Sequence, residues 1–212
     1  MIGIIDYQMG NLRSVQKAFE AIGIPSRILT QPKEISEMER LVLPGVGAFA
    51  DGMGFLDRLG FITPIHAFIE SGKPFLGICI GMEVLFEGSE EDALSPDKQV
   101  PGLGILRGSV VRFQCDRSPV RLKVPHMGWN TLRWDRADPL LSEIDQDAAV
   151  YFVHSYYAKP AENDRSVQSA TCDYGGPFCA SVWKDNIWAT QFHPEKSQKI
   201  GLKILSNFAS AT

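Results

Sequence analysis

The sequence has no block of basic residues: 21 Lys and Arg stand against 25 Asp and Glu, for a net charge of −4. A chain so balanced carries no electrostatic footprint for a nucleic acid. It also lacks an apolar run of membrane length. The opening Met1-Ile2-Gly3-Ile4-Ile5-Asp6 is too short and too soon charged for a secretory signal, so a cytoplasmic protein without membrane contact is expected. The four cysteines, Cys79, Cys115, Cys172 and Cys179, lack the pair spacing of a metal site, and in a reducing compartment no disulfide is expected among them. Repeats, low-complexity tracts and linkers are missing too, and 212 residues give room for one sizeable core rather than two. One domain over residues 1–212 is expected.

What is present alternates between strand-like and helix-like patterns. The unbroken apolar run at residues 2–5 reads as a buried strand, and Leu12, Val15, Phe19 and Ile22 carry helical spacing, with Asn11 as cap and Gly23 as stop. Further strands are expected at 24–29 and 40–43, a helix at 51–59, and another entered through Thr63 as cap and Pro64 as first residue, running to Gly72. Such alternation predicts an α/β fold: a mostly parallel central sheet flanked by helices, with ligands at the carboxyl ends of its strands. The acidic stretch 88–99 reads as a solvated surface excursion. Short β-type runs at 104–107, 109–113, 120–124 and 130–134 then predict a small antiparallel β insertion. A hairpin of 166–174 with 178–184, the run 187–190 and a last helix with Ile200, Ile204, Leu205 and Phe208 inward complete the chain.

The chemistry centres on Phe75-Leu76-Gly77-Ile78-Cys79-Ile80-Gly81-Met82-Glu83. An apolar strand there passes into helical spacing at Met82, Leu85 and Phe86 through one cysteine with a glycine two positions to either side. That is the form of a nucleophile elbow, in which a sharp turn lifts a reactive side chain above the sheet edge. A thiol at a helix N-terminus is expected to have a lowered pKa. Downstream, Gln191-Phe192-His193-Pro194-Glu195 follows a strand-like run. His193 can take the thiol proton and Glu195 can orient the imidazole, making a Cys79, His193, Glu195 triad. The loop Pro44-Gly45-Val46-Gly47 leaves the sheet at the same edge. Its backbone N–H groups at Val46 and Gly47, with that of Ile80, can hold an oxyanion. His126, in Pro125-His126-Met127-Gly128-Trp129-Asn130, has no comparable strand-end setting or carboxylate partner and is set aside as a catalytic residue.

Gly-Ile-Cys-Ile-Gly-Met with Gln-Phe-His-Pro-Glu resembles the class I, triad-type glutamine amidotransferases. Segments 6–12, 44–47, 125–130, 151–156 and 191–197 carry the resemblance over nearly the whole chain. They are most similar to the branch of the family that serves histidine biosynthesis. The resemblance implies hydrolysis of glutamine to glutamate and ammonia through a glutamyl thioester, with no metal or organic cofactor. It implies glutamine binding by Gly47, Glu83, Ser155 and Tyr156, the last two through backbone that holds the α-carboxylate. It implies, too, a heterodimer with a cyclase subunit of (β/α)8-barrel type, which uses the ammonia to make imidazole glycerol phosphate and an aminoimidazole carboxamide ribotide. Asn11, Trp129 and Lys196 are then candidates for the partner-facing surface, and the chain length fits a stand-alone glutaminase. One position departs from the family, which usually has Gln where this chain has Glu83. An ionised carboxylate only accepts hydrogen bonds, and its charge raises a neighbouring thiol pKa, although Glu also suits a first helical turn and could contact the substrate ammonium. Two other readings stay open: a glutaminase serving another acceptor, and a catalytically silent partner-binding subunit.

Overall fold

In the computed structural model, which describes residues 1–93, 95, 98–114 and 122–211, the chain begins with β1 (Ile2–Ile5), α1 (Leu12–Ala21), β2 (Ser26–Leu29), β3 (Arg40–Gly45), α2 (Phe49–Arg58), α3 (Ile62–Glu70) and β4 (Phe75–Cys79). A single helical turn, α4 (Ile80–Glu83), leads to β5 (Phe86–Ser89), β6 (Val100–Pro101), β7 (Leu106–Arg112) and β8 (His126–Thr131). Then come β9 (Ala149–His154), β10 (Tyr156–Pro160), β11 (Gln168–Asp173), β12 (Pro177–Lys184), β13 (Ile187–Thr190) and α5 (Gln198–Ser210).

Seven strands form the central sheet in the order β11-β12-β13-β4-β3-β1-β2. The five from β2 to β13 run parallel, and β12 and β11 add an antiparallel edge. Because β1, β4 and β13 are covered on both faces, every residue in them is buried, which is why they read as unbroken apolar runs rather than alternating ones. Register then aligns the strand ends. Gly45 pairs with Cys79, and Ile78 with Thr190, so the loop after β3, the turn after β4 and the segment after β13 all emerge at one edge. Among the described residues no helix is long and apolar enough to cross a membrane.

Several expectations change. The insertion is a separate four-stranded sheet, β10-β7-β5-β6, in which β5 and β7 run parallel, together with a two-stranded antiparallel ribbon of β8 and β9. The runs at 104–107 and 109–113 are one strand, β7, and the run at 130–134 is shifted upstream into β8. The run expected at 120–124 begins on residues outside the described ones, as does Cys115. Cys79, Cys172 and Cys179 are free and buried. The elbow helix is a single turn because Leu85 and Phe86 leave it, the latter to open β5, where second-sheet packing outweighs helical spacing. Helix α3 starts before Thr63, and Pro64 falls in its first turn, where the missing N–H costs nothing. Asn11 makes no side-chain cap; its backbone carbonyl accepts from Ser14 and Val15 N–H instead.

Candidate functional site

Cys79 closes β4 at φ 55° and ψ −111°, a conformation that side chains rarely adopt and that persists only where surrounding structure enforces it. The enforcement is visible in the two flanking glycines. A Cβ at Gly77 would overlap the Gly81 carbonyl, and one at Gly81 would overlap the Leu43 carbonyl of β3. The sequence thus crosses its own backbone within five residues and delivers the sulfur to the sheet edge.

A cavity of about 260 Å³ opens there. One wall is Val46 and Gly47 of the β3 loop, the floor is Cys79, Ile80 and Glu83, and the far wall is Val153, His154, Ser155 and Tyr156 at the corner between β9 and β10. Gly47 has φ +115°, which suits a loop that turns its backbone toward the cavity. The expected oxyanion residues and glutamine-binding residues therefore share one pocket with Cys79.

His193 and Glu195 are not among the residues lining that pocket, and their side chains are almost wholly buried. His193 Nδ1 is 2.8 Å from Glu195 Oε1. A carboxylate can only accept, so Nδ1 carries the proton and the Nε2 lone pair is free to act as a base. Among the described residues that buried Nε2 has no hydrogen-bond partner, so His193 and Cys79 are not hydrogen-bonded to each other. The backbone of His193 is held tightly: its N–H donates to Tyr151 O at 2.9 Å, and its carbonyl accepts from Ser197 Oγ at 2.7 Å.

Contrary to the helix-terminus expectation, the Cys79 thiol pKa is pushed well above its ordinary value. Burial is the main cause, followed by the Glu83 carboxyl; the Ile80 N–H and the Lys196 ammonium oppose it. A four-residue turn supplies too little dipole to offset that desolvation. Glu83 is itself buried, and its Oε1 accepts from Gln191 Nε2 at 2.7 Å. Burial pushes its carboxyl up to about 8, the Gln191 bond pulling the other way. At neutral pH Glu83 is thus largely protonated and can donate as well as accept, which gives it the hydrogen-bonding repertoire of an amide.

Four residues of this region escaped sequence reasoning. Gln191 lies between Glu83 and Cys79, its Nε2 4.0 Å from Cys79 Sγ. The buried Tyr7 hydroxyl, without a hydrogen-bond partner among the described residues, sits against Gly45. His154 lines the cavity. Glu91, from the stretch expected to be merely solvated, also lines it and accepts the Phe49 N–H at the start of α2 at 2.7 Å. Only Gln191 had a sequence signal, by standing two residues before His193.

The expected partner-facing residues fall near the turn of Pro194–Lys196. Trp129 is 49% exposed and Met127, on the same face of β8, 62% exposed. The Trp129 ring meets the Tyr151 ring edge-on at 6.0 Å, and Lys196 Nζ lies 5.9 Å from that ring's centre. Asn11 opens α1, which packs against the turn of Pro194–Lys196.

The model of the family described as "Glutamine amidotransferase class-I" matches residues 3–211. The chain belongs to that family. This amidotransferase is 53% identical over 210 residues to the imidazole glycerol phosphate synthase subunit HisH of Syntrophotalea carbinolica, covering 98% of each chain. It is 53% identical to the HisH of Geobacter sulfurreducens, covering 98% of this chain and 97% of that one. With the HisH of Aquifex aeolicus it shares 48% identity, over 97% and 94% of the two chains. Among solved structures it is similar to PurLQS from Thermotoga maritima, with a TM-score of 0.74 at 16% identity over 99% and 97% of the chains. It is also similar to the glutaminase domain of CTPS from Trypanosoma brucei, with a TM-score of 0.67 at 15% identity over 100% and 94%. At those identities the structural likeness is one of fold.

Proposed function

We propose that this amidotransferase is the glutaminase subunit of imidazole glycerol phosphate synthase, releasing ammonia from glutamine for a cyclase subunit in histidine biosynthesis. The observation that carries the reading is identity of 53% to HisH chains over nearly the full length. The pocket built around Cys79 supports it. The cyclase is of (β/α)8-barrel type and the complex a cytoplasmic heterodimer; neither metal nor organic cofactor takes part.

Glutamine enters with its α-carboxylate on the Ser155–Tyr156 corner and its carboxamide beside Cys79, between Gly47 and Glu83. His193 Nε2 takes the thiol proton as Sγ attacks the carboxamide carbon, and the oxyanion is held by N–H groups of Val46, Gly47 and Ile80. Collapse breaks the C–N bond, with His193 returning the proton to the departing ammonia. Water, deprotonated by His193, then splits the thioester to glutamate and restores the thiol. Glu195 keeps the imidazole in its Nδ1–H tautomer and balances the cation.

The resting geometry suits a glutaminase that waits for its partner. The thiol is held protonated by burial, and the His193 Nε2 has no hydrogen-bond partner among the described residues. Docking on Asn11, Trp129 and Lys196 would reach the site through Lys196, which adjoins Glu195 and favours the thiolate. The test is glutamate release from glutamine by the chain alone, then with the cyclase partner and its ribonucleotide. Low activity that rises sharply with the partner is expected. No release under either condition while a complex forms would sink the reading in favour of a silent subunit. Release with no response to this cyclase would point to another acceptor.

A further inference from the structure

The motif around His126 takes no part in the chemistry above, yet its side chain is buried beside the pocket. His126 Nδ1 is 3.0 Å from His154 Nε2, and His154 Nδ1 is 2.7 Å from Tyr156 O. At the other end Asn130 Nδ2 lies 3.3 Å from His126 Nε2 and also donates to Asp173 O at 2.8 Å.

Only one set of protons satisfies this chain. The Tyr156 carbonyl can only accept, so His154 carries its proton on Nδ1. Its Nε2 is then an acceptor, which makes His126 Nδ1 the donor and His126 Nε2 an acceptor for the Asn130 amide. The Asn130 orientation is fixed independently, since Oδ1 accepts the Thr131 N–H at 2.8 Å. Every link therefore points one way, from Asn130 through two neutral imidazoles to Tyr156. Burial favours the neutral forms, lowering His126 to about 4 and His154 to about 3. The His126 ring is clamped, with ring centroids 4.0 Å from Tyr174 and 4.9 Å from Phe152. The corner is held from its other side by the Phe113 N–H, which donates to Ser155 O at 3.2 Å.

We propose that His126 and His154 are positioning residues whose one-way hydrogen-bond chain presets the Ser155–Tyr156 corner to receive the α-carboxylate of glutamine. The proposal rests on the reading that this corner binds the carboxylate. A corner already in its bound shape spares the substrate the cost of ordering it, so the effect belongs in KM.

The experiment uses the complex with cyclase and ribonucleotide, and compares glutamine with its α-carboxamide analogue. His126→Phe keeps a ring for the stack and removes the donor; His126→Asn keeps a donor near the Nδ1 position. For His126→Phe, KM for glutamine should rise about tenfold with kcat within about twofold, the loss expected for one buried hydrogen bond. His126→Asn should recover most of it, and neither variant should change KM for the analogue. An independent pair avoids dependence on one variant's folding: His154→Asn retains a donor for Tyr156 O, His154→Leu does not, and the same contrast in KM is expected. An unchanged KM in His126→Phe, or equal rises for glutamine and analogue, would overturn the proposal. If the parent complex fails to distinguish the two substrates, the carboxylate reading itself falls, and the proposal with it.

Discussion

Replacing Glu83 by Gln separates the charge of this side chain from its shape. Glu83 sits on the cavity floor with its carboxyl pushed to about 8. By the titration relation it is about nine-tenths neutral at pH 7, half neutral at pH 8 and about one-tenth neutral at pH 9. If the neutral form is the competent one, parent kcat/KM declines across that range while Glu83→Gln keeps a constant amide. The ratio of variant to parent should therefore rise roughly tenfold between pH 7 and pH 9. Ionised Glu83 also pushes up the Cys79 thiol, an effect of the same sign. The assay is glutamate release by the partnered complex, read as a ratio so that titration of the substrate ammonium cancels. A flat ratio would refute a proton on Glu83, and a falling one would show that its negative charge serves the substrate ammonium. The same substitution has a stability counterpart. A carboxyl whose folded pKa lies above its unfolded value of 4.5 contributes stability fully present below 4.5 and lost as pH rises through about 8. Glu83→Gln should therefore raise Tm at pH 8–9 more than at pH 4.5.

Gly81→Ala should lower stability by about 1–3 kcal/mol and abolish glutamate release, because the new Cβ overlaps the Leu43 carbonyl and must displace the elbow; urea unfolding with an activity assay would check it, and a stable, active variant would contradict the crossing of β3 and α4. Acid stability should report the buried imidazoles. With folded pKa values of about 4 and 3 for His126 and His154, the unfolded chain takes up protons below about pH 6.5 that the native chain refuses. Stability should thus fall with pH there, by about 1.4 kcal/mol per pH unit for each imidazole. His126→Phe should show a shallower slope in unfolding between pH 7 and pH 5, and equal slopes would be the contrary result.

The parallel sheet was legible because burial on both faces leaves an unbroken apolar signal in β1, β4 and β13, and the sharp turn at Cys79 because two glycines bracket it. The second sheet was not, since β5 begins inside a stretch with helical spacing and its pairing with β7 and β6 decides its conformation. Within the site, Cys79 closes β4 and His193 follows β13, at the strand ends their motifs suggested. Tyr7, Glu91 and His154 were missed because their roles come from elements far apart in sequence meeting at one edge. The thiol pKa was misjudged for a related reason: local sequence shows a helix start, whereas burial and the Glu83 carboxyl come from the whole fold.

The register of the central sheet has a consequence for the order in which function is acquired. Strand β13 is inserted between β4 and β12, and Gln191, just past its end, meets Cys79 across 112 residues of chain. Loop closure over such a distance makes this pairing a slow, late event. During synthesis β4 is made long before residues 187–195, so under the proposed mechanism a partly made chain holds Cys79 without the His193 that is to serve as its base. Docking of β13 between β4 and β12 then joins the two parts of the sheet and, in the same step, brings Gln191 to Cys79.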